Sequence, residues 1–209
     1  MSAAAVEGPY AHGRGPLTLL EQADQLAKQL PGHRVEILGG VLTVTPPPDP
    51  GHAFGLSSLR RPFVAAGLDD GNARVVEGLG LWLPDGPENF AVPDLSVVDA
   101  DAPDHVVTYN CCDPACFRMV LEVTSGNHAN DLRTKVTAYG AARIPLYVIV
   151  DRKHERLHVL IDPMEDGYAV HRIHVAGEKV TLPETIGATV TLDVTQVLDA
   201  ARNRTPHRP

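Results

Sequence analysis

The chain has 209 residues and a formal net charge of −8 at pH 7, with 44% hydrophobic and 21% charged residues. This length suits one large domain with short extensions, and the composition is typical of a soluble globular protein. No apolar run approaches the roughly 18–20 residues that span a bilayer, and the first residues lack a signal-peptide pattern, so we expect a cytoplasmic protein without membrane contact. The acidic balance argues against high affinity for bare DNA, although it is compatible with a small local basic patch.

The first predicted elements are a helix and a hairpin. Apolar residues recur at helical spacing in LTLLEQADQLAKQLP, with Thr18 placed as the N-cap and Pro31 as the stop. The next stretch, HRVEILGGVLTVTPPP, predicts two short strands that turn at Gly39 and Gly40. Residues 17–200 are predicted to form the single domain, with flexible tails at 1–16 and 201–209.

A second helix is predicted over residues 51–67, and Pro62 within it predicts a kink or an early end. Its expected apolar side consists of Phe54, Leu56, Leu59 and Phe63. Further on, ARVVEGLGLWLP predicts a strand or a bent hairpin, and FAVPDLSVVDA predicts one strand. The run FRMVLEVTS is apolar enough for a strand that is covered on both faces of a sheet.

The C-terminal half continues with a helix in NDLRTKVTAYGAAR, a buried strand in IPLYVIVDR, several β segments and a short last helix. Together these elements predict an α/β fold: a central mixed β-sheet flanked by helices, with an N-terminal helix and hairpin and a C-terminal β meander.

Three cysteines, Cys111, Cys112 and Cys116, lie within CCDPAC. An odd count without a second cluster argues against a disulfide framework. A zinc site needs about four nitrogen or sulfur ligands, so His105 or His128 would have to complete it. The favoured interpretation is a cluster of reduced thiols on a loop.

Two acidic residues stand inside apolar strands and need an explanation. Glu122 interrupts MVLEV, and Asp94 interrupts VPDLSVV. A buried carboxylate must be paired, hydrated at a strand end, or bound to a cation. If the strands are neighbours, the like charges conflict unless a proton or a cation is shared, and Mg²⁺ or Mn²⁺ would remove the conflict.

Lys135 follows on the next helix, where its ammonium can reach the strand end and assist an attacking water. A third acid, Glu36, lies between apolar neighbours, where it could hold a second ion, a metal-bound water or Lys135. A metal between two carboxylates with a lysine beside it is a minimal set of catalytic groups for phosphodiester hydrolysis. Each acid also has a structural interpretation: Asp94 as a turn cap, Glu122 paired with Arg118 or Lys135, and Glu36 on the surface.

With these residues placed, the chain resembles the Uma2 family, the DUF820 group, within the PD-(D/E)xK superfamily of restriction-endonuclease-like proteins. The resemblance runs from Leu17 to Asp151. The segment RVEILGGVLTVTPPPDPGH is similar to the family's opening, VPDLSVV to its PD strand, and MVLEVTS with NDLRTKVTAYGAARIPLYVIVD to its most specific stretch. The positions that match in that stretch are Glu122, Asp131, Lys135, Tyr139, Pro145, Tyr147 and Asp151.

The resemblance implies a restriction-endonuclease-like core in which Asp94 and Glu122 bind the metal, Lys135 is the catalytic lysine and Glu36 is an auxiliary acid. In the parent signature the lysine stands two residues after the acid, where this chain has Thr124. In Uma2 proteins it has moved to the following helix. The chain departs from the family in having SGNH where SPST is usual and in having Val148 in place of a tryptophan.

We therefore predict a metal-dependent endonuclease that uses Mg²⁺ or Mn²⁺ on DNA, with His52 as a candidate contact to a phosphate or to the metal. A solvent-exposed histidine at the start of a helix is the alternative for His52. A non-catalytic binding protein that keeps the fold, and a hydrolase of small phosphorylated substrates, are the alternative functions. Because many proteins of this fold dimerise to cut two strands, a homodimer is a further expectation, although no residue fixes the oligomeric state.

Overall fold

The computed structural model describes residues 16–124 and 130–202, without the side chains of residues 130 and 131. Within these ranges, no helix is long and apolar enough to cross a membrane. Most of the predicted tails, the SGNH loop, His128 and the side chain of Asp131 fall outside the described part. Expectations that concern them stay predictions.

The described chain contains four α-helices and fourteen strands. The helices are α1 (Leu19–Gln29), α2 (Pro50–Ala65), α3 (Lys135–Ala141) and α4 (Val194–Ala201). The strands are β1 (Arg34–Leu38), β2 (Val41–Thr45), β3 (Ala73–Val76), β4 (Gly80–Trp82), β5 (Phe90–Ala91), β6 (Leu95–Asp99), β7 (Val106–Thr108), β8 (Cys111–Cys112), β9 (Phe117–Val123), β10 (Leu146–Asp151), β11 (Arg156–Met164), β12 (Gly167–His174), β13 (Lys179–Thr181) and β14 (Thr191–Asp193).

The predicted N-terminal helix and hairpin are confirmed. Thr18 caps α1 through a capping box, in which its hydroxyl accepts from the Glu21 amide and the Glu21 carboxylate accepts from the Thr18 amide. Strands β1 and β2 form an antiparallel hairpin. Gly39 and Gly40 turn the chain between them with φ of 56° and 74°, values that residues with a Cβ rarely adopt.

Helix α2 forms where it was predicted, and Pro62 lies inside it. Its N-cap is Asp49, whose carboxylate accepts from the His52 amide. Leu56, Leu59 and Phe63 are buried, but the prediction that Phe54 shares their face is wrong, because its side chain is 77% exposed. At about 100° per residue, Phe54 points roughly opposite to Leu56, Leu59 and Phe63, on the exposed side of α2.

The central sheet has six strands in the order β12-β11-β10-β9-β6-β3. Only β9 and β10 are parallel, and the chain crosses between them through α3, as a parallel pair requires. A second six-stranded sheet has the order β2-β1-β5-β4-β8-β7. The predicted mixed sheet is thus present, while the expected C-terminal meander divides: β11 and β12 extend the central sheet, and β13 pairs with β14 separately.

Two strand predictions are corrected. Residues 73–84 form neither one strand nor a hairpin, because β3 pairs with β6 of the central sheet whereas β4 pairs with β5 and β8 of the second sheet. Gly78, with φ of 66°, lies in the turn between them. Residues 90–100 likewise divide into β5 and β6, and Pro93, which lacks an amide proton, stands at the break.

Both faces of the central sheet are covered. Helices α2 and α4 pack on one face, in a core that includes Met119, Leu121 and Val123 of β9. Helix α3 and part of the second sheet pack on the other face, in a core that includes Val120 of β9. Because side chains alternate along a strand, Glu122 points to the same face as Val120, toward α3 and the second sheet.

Helix α3 lies unusually close to the sheet edge. A Cβ at Gly140 would overlap the carbonyl oxygen of Gly167, at the start of β12. Only glycine at this position allows the helix backbone to approach the strand so closely. This approach helps to fix the position of α3, whose first residue is Lys135.

A group of histidines connects β11 to β12. His158 Nδ1 is 2.8 Å from His171 Nε2, and His158 Nε2 is 3.7 Å from Asp151 Oδ2. Burial and the neighbouring His171 lower the pKa of His158 from 6.5 to about 4. The folded protein therefore holds His158 neutral over a pH range in which the unfolded chain takes up a proton.

Acidification should consequently destabilise the protein. We expect the free energy of unfolding to fall as the pH decreases from 6.5 toward 4, with His158 contributing up to about 1.4 kcal/mol per pH unit. Denaturant titrations of wild type and His158→Asn across this range would show the variant losing less stability. His105→Asn, at an exposed histidine, controls for the loss of one titratable group. Parallel curves for wild type and His158→Asn would rule out this contribution.

Candidate active site

The register of the central sheet brings Asp94 beside Glu122. Leu95 of β6 pairs with Leu121 of the antiparallel strand β9, so the residue before Leu95 lies next to the residue after Leu121. Both acids are buried, with 3% and 2% of their surfaces exposed. The Val123 amide donates to Asp94 Oδ2 at 2.8 Å. The two carboxylates therefore face the same small volume.

Lys135 and Glu36 join this pair. Lys135 Nζ lies 2.7 Å from Glu122 Oε1 and 3.1 Å from Glu36 Oε1. Glu36 Oε1 also accepts from the Val92 amide at 2.8 Å. Glu36 is buried rather than on the surface, and Arg118 pairs with Asp99 instead of Glu122. The four residues that the sequence singled out thus converge, with Lys135 between two acids.

Tyr139 is a member of the cluster that the sequence did not reveal. Its side chain is fully buried, and its hydroxyl donates to Glu122 Oε1 at 2.8 Å. Burial and the nearby Glu122 charge raise the pKa of Tyr139 well above 10, so its hydroxyl stays protonated. Lys135 and Tyr139 stand four residues apart on α3, which places both on one face and is the signal that identifies them as a pair.

We expect Tyr139→Phe to lower the free energy of unfolding by about 1.5–3 kcal/mol, because it removes a buried hydrogen bond to a charged group. Tyr168→Phe is a matched control, since the Tyr168 hydroxyl donates to the Ile144 carbonyl, a neutral acceptor, at 3.0 Å. Its expected cost is about 0.5–1.5 kcal/mol. Equal losses for the two variants, measured by chemical denaturation, would contradict a special role for the Tyr139 hydroxyl.

Arg34 is the second residue that the sequence analysis missed. Its Nη2 lies 2.5 Å from Asp94 Oδ1, and its Nη1 lies 3.8 Å from Glu122 Oε2. Although burial alone would lower the pKa of Arg34, the charges of Asp94, Glu122 and Glu36 raise it above its usual value. The signal was available, because Arg34 and Glu36 are two residues apart on β1 and so share a face.

His52 lies beside Asp94 and is buried, which makes the solvent-exposed alternative wrong. Its Nε2 is 3.4 Å from Asp94 Oδ1. Burial alone would raise the pKa of Asp94, but His52, Arg34 and the Val123 amide together hold it well below 3.8. Asp94 is therefore a permanent anion at neutral pH.

All of these side chains except Tyr139 line a cleft of about 720 Å³. One wall is formed by β1 and the segment 44–49, and His52 of α2 and Arg152 lie on the cleft as well. Arg152 is held at the end of β10, where its Nε donates to the Thr124 carbonyl at 2.6 Å. The volume lies within the usual range for ligand sites, and the lining mixes anionic and cationic groups.

The cysteines take no part in this site. They were expected on a loop, but Cys111 and Cys112 form β8, and all three thiols are buried and unbridged. Burial raises the pKa of Cys111 to about 12 and that of Cys116 to about 11, so both thiols are protonated at neutral pH when no metal is bound. Cys112 Sγ instead donates to the Ala102 carbonyl.

The donor set of the cleft suits a hard divalent cation. Asp94, directly before β6, and Glu122 of the adjacent strand β9 offer carboxylate oxygens, and Mg²⁺ commonly binds one or two carboxylates while it keeps several waters. Among the side chains of residues 16–124 and 132–202, no three from histidine, cysteine, aspartate or glutamate form a ready-made metal site. Two protein ligands, completed by water or substrate oxygens, is the coordination that these residues can supply.

Comparison with known proteins identifies the fold and the family. A crystal structure described as that of a putative nuclease belonging to DUF820, from Anabaena variabilis ATCC 29413, has a similar fold, with a TM-score of 0.62 and 15% identity over 90% of this chain and 100% of that one. No curated protein matches the chain. The model of the Uma2 family, described as putative restriction endonucleases, matches residues 20–195. The chain has a restriction-endonuclease-like α/β fold and belongs to the Uma2 family.

Proposed function

We propose that this protein is a metal-dependent endonuclease that hydrolyses phosphodiester bonds in DNA. The observation that carries the proposal is the meeting of Asp94, Glu122 and Lys135 in one cleft. Membership of a family described as putative restriction endonucleases supports the same chemistry.

In this proposal Asp94 and Glu122 hold one divalent ion, Mg²⁺ or Mn²⁺. When bound, such an ion polarises a phosphoryl oxygen and makes its bound water more acidic. The fixed partners of the two acids aim their carboxylates without help from the ion: the Val123 amide holds Asp94, and Tyr139 with Lys135 holds Glu122. A site held in this way needs little reorganisation when substrate arrives.

Lys135 is the residue that we assign to the attacking water. The Lys135 ammonium contacts both Glu122 and Glu36. The contact with Glu36 therefore restricts the movement of the lysine side chain toward Glu122. A lysine fixed in this way can orient a water and stabilise negative charge that develops on the phosphoryl group. Glu36 is then a positioning residue for Lys135, rather than a second metal ligand.

DNA as the substrate rests on the family description and on the cations that face the cleft. Arg34, Arg152 and Lys135 line it, and His52 could reach a phosphate at its edge. The net charge of −8 predicts weak binding outside the cleft, so binding should involve few phosphates and its affinity should fall only gradually with salt. The same metal chemistry would act on any phosphodiester that enters.

The test is cleavage of supercoiled plasmid DNA by the purified protein with Mg²⁺ or Mn²⁺. We expect relaxed and linear products, and we expect neither product to form when EDTA removes the ion beforehand. Parallel reactions with RNA and with small phosphoesters would identify the substrate class. Absence of phosphodiester cleavage with either metal would contradict the proposal.

One observation favours the alternative of a non-catalytic binding protein. Arg34 and Lys135 already supply cationic partners to the buried acids, so the cluster can also be a structural network of ion pairs. Calorimetry with Mn²⁺ separates the two functions. Binding that is lost in Glu122→Gln supports the nuclease, whereas no binding by a folded wild type supports the alternative.

A further inference from the structure

The guanidinium of Arg34 lies where the two proposed metal ligands face each other. It contacts Asp94 Oδ1 through Nη2 and approaches Glu122 Oε2 through Nη1. The other oxygens of these acids serve different partners: Asp94 Oδ2 accepts from the Val123 amide, and Glu122 Oε1 accepts from Lys135 and Tyr139. Arg34 therefore engages one oxygen of each proposed metal ligand, and His52 Nε2 also lies 3.4 Å from the same Asp94 Oδ1.

A guanidinium and a divalent ion cannot both bind these two oxygens at their normal distances. Carboxylate oxygens lie about 2.0–2.1 Å from Mg²⁺ and accept from arginine at about 2.7–2.9 Å, so an ion bound between the acids would compete with the arginine for both position and charge. Asp94 and Glu122 are held by strands and by several donors. Arg34 is the first residue of β1, and its side chain is 24% exposed. Of the three residues, it is therefore the one whose side chain can move away from the carboxylates.

We propose that Arg34 is a displaceable counterion of the metal site: it neutralises Asp94 and Glu122 until a divalent ion arrives, and then turns into the cleft to bind a phosphate of the substrate. The proposal rests on the endonuclease function given above. It adds a role for a residue outside the two acids and the lysine, and it couples metal binding to substrate binding. Arginine suits both states, because its planar fork binds carboxylates and phosphates alike.

Opposite effects on metal and on DNA are the expected signature. In Arg34→Met, calorimetry with Mn²⁺ alone should give binding at least about 10-fold tighter than wild type, because the competitor has been removed. Binding of a phosphorothioate oligonucleotide in saturating Mn²⁺ should be at least about 10-fold weaker, because a phosphate contact is lost. A purely structural role for Arg34 would weaken both.

Two further variants keep the test decisive. Arg60→Met removes an arginine that pairs with Asp69 outside the cleft lining, and it should leave Mn²⁺ affinity unchanged. Arg34→Lys keeps the charge without the fork and should give intermediate Mn²⁺ affinity, which provides a result if Arg34→Met does not fold. Mn²⁺ affinity in a folded Arg34 variant that equals or falls below the wild-type value overturns the proposal.

The outcome is separable from that of the proposed function. Tighter Mn²⁺ binding by Arg34→Met in a protein that never cleaves DNA would contradict the nuclease and preserve the counterion role. Cleavage by wild type, with unchanged Mn²⁺ affinity in the Arg34 variants, would preserve the nuclease and contradict the counterion role. If neither wild type nor variant binds Mn²⁺, both proposals fail.

Discussion

Glu122→Gln and Asp94→Asn should each reduce plasmid cleavage at least about 100-fold, because each removes an anionic ligand from the proposed ion and loses several kcal/mol of transition-state stabilisation. Both substitutions keep the shape of the side chain. Initial rates of supercoiled-plasmid loss at saturating Mn²⁺ measure the effect, and Mn²⁺ calorimetry should show weakened binding in the same variants.

Asp99→Asn is the matched control for these two substitutions. Asp94 directly precedes β6, and Asp99 is the last residue of that strand. The Asp99 carboxylate pairs with Arg118 and does not line the cleft. It should retain cleavage and Mn²⁺ binding. Undiminished cleavage in a folded Glu122→Gln or Asp94→Asn would place the activity elsewhere, in this chain or in a contaminant.

Lys135→Met should have the largest effect on stability, a loss of about 3–5 kcal/mol in the free energy of unfolding. The substitution removes the cation that lies between Glu122 and Glu36, and both acids remain buried. Cleavage should also be abolished, since the group that we assign to the attacking water is gone. Urea denaturation monitored by circular dichroism measures the loss.

Lys28→Met gives the comparison that isolates burial. Lys28 pairs with Asp24 on α1, but 73% and 47% of the two side chains are exposed. Exposed pairs contribute about 0–1 kcal/mol, so this variant should remain close to wild type. Suppose that Lys135→Met lowers the free energy of unfolding no more than Lys28→Met does. The burial of Glu36 and Glu122 would then not depend on the lysine.

Sequence patterns were most informative where burial and charge conflict. Charged residues inside apolar strands are rare, so Asp94, Glu122 and Glu36 were recognisable before any coordinates. Arg34 was overlooked although it shares a face of β1 with Glu36, because an arginine at the end of a strand normally reaches solvent. The hydroxyl of Tyr139 was missed for a related reason: periodicity predicts that a tyrosine is buried, but it does not predict which acceptor the hydroxyl finds.

Strand partners were harder to predict than strands. The apolar pattern of residues 73–84 is compatible with either sheet, and only long-range pairing assigns β3 to one and β4 to the other. The same holds for β8, where two adjacent cysteines give no alternation to identify a strand. Local sequence determines that a segment is extended, whereas the choice of neighbour depends on contacts between distant residues.

The alternation of side chains along β9 has a consequence for folding fidelity. Slippage of this strand by one residue would transfer Glu122 into the apolar layer beneath α2 and α4, far from Lys135 and Tyr139. An unpaired carboxylate in that layer would destabilise the protein by several kcal/mol, so a misaligned strand pairing is less stable than the native one. The residue that we assign to catalysis thereby also selects the correct alignment of the strand that carries it.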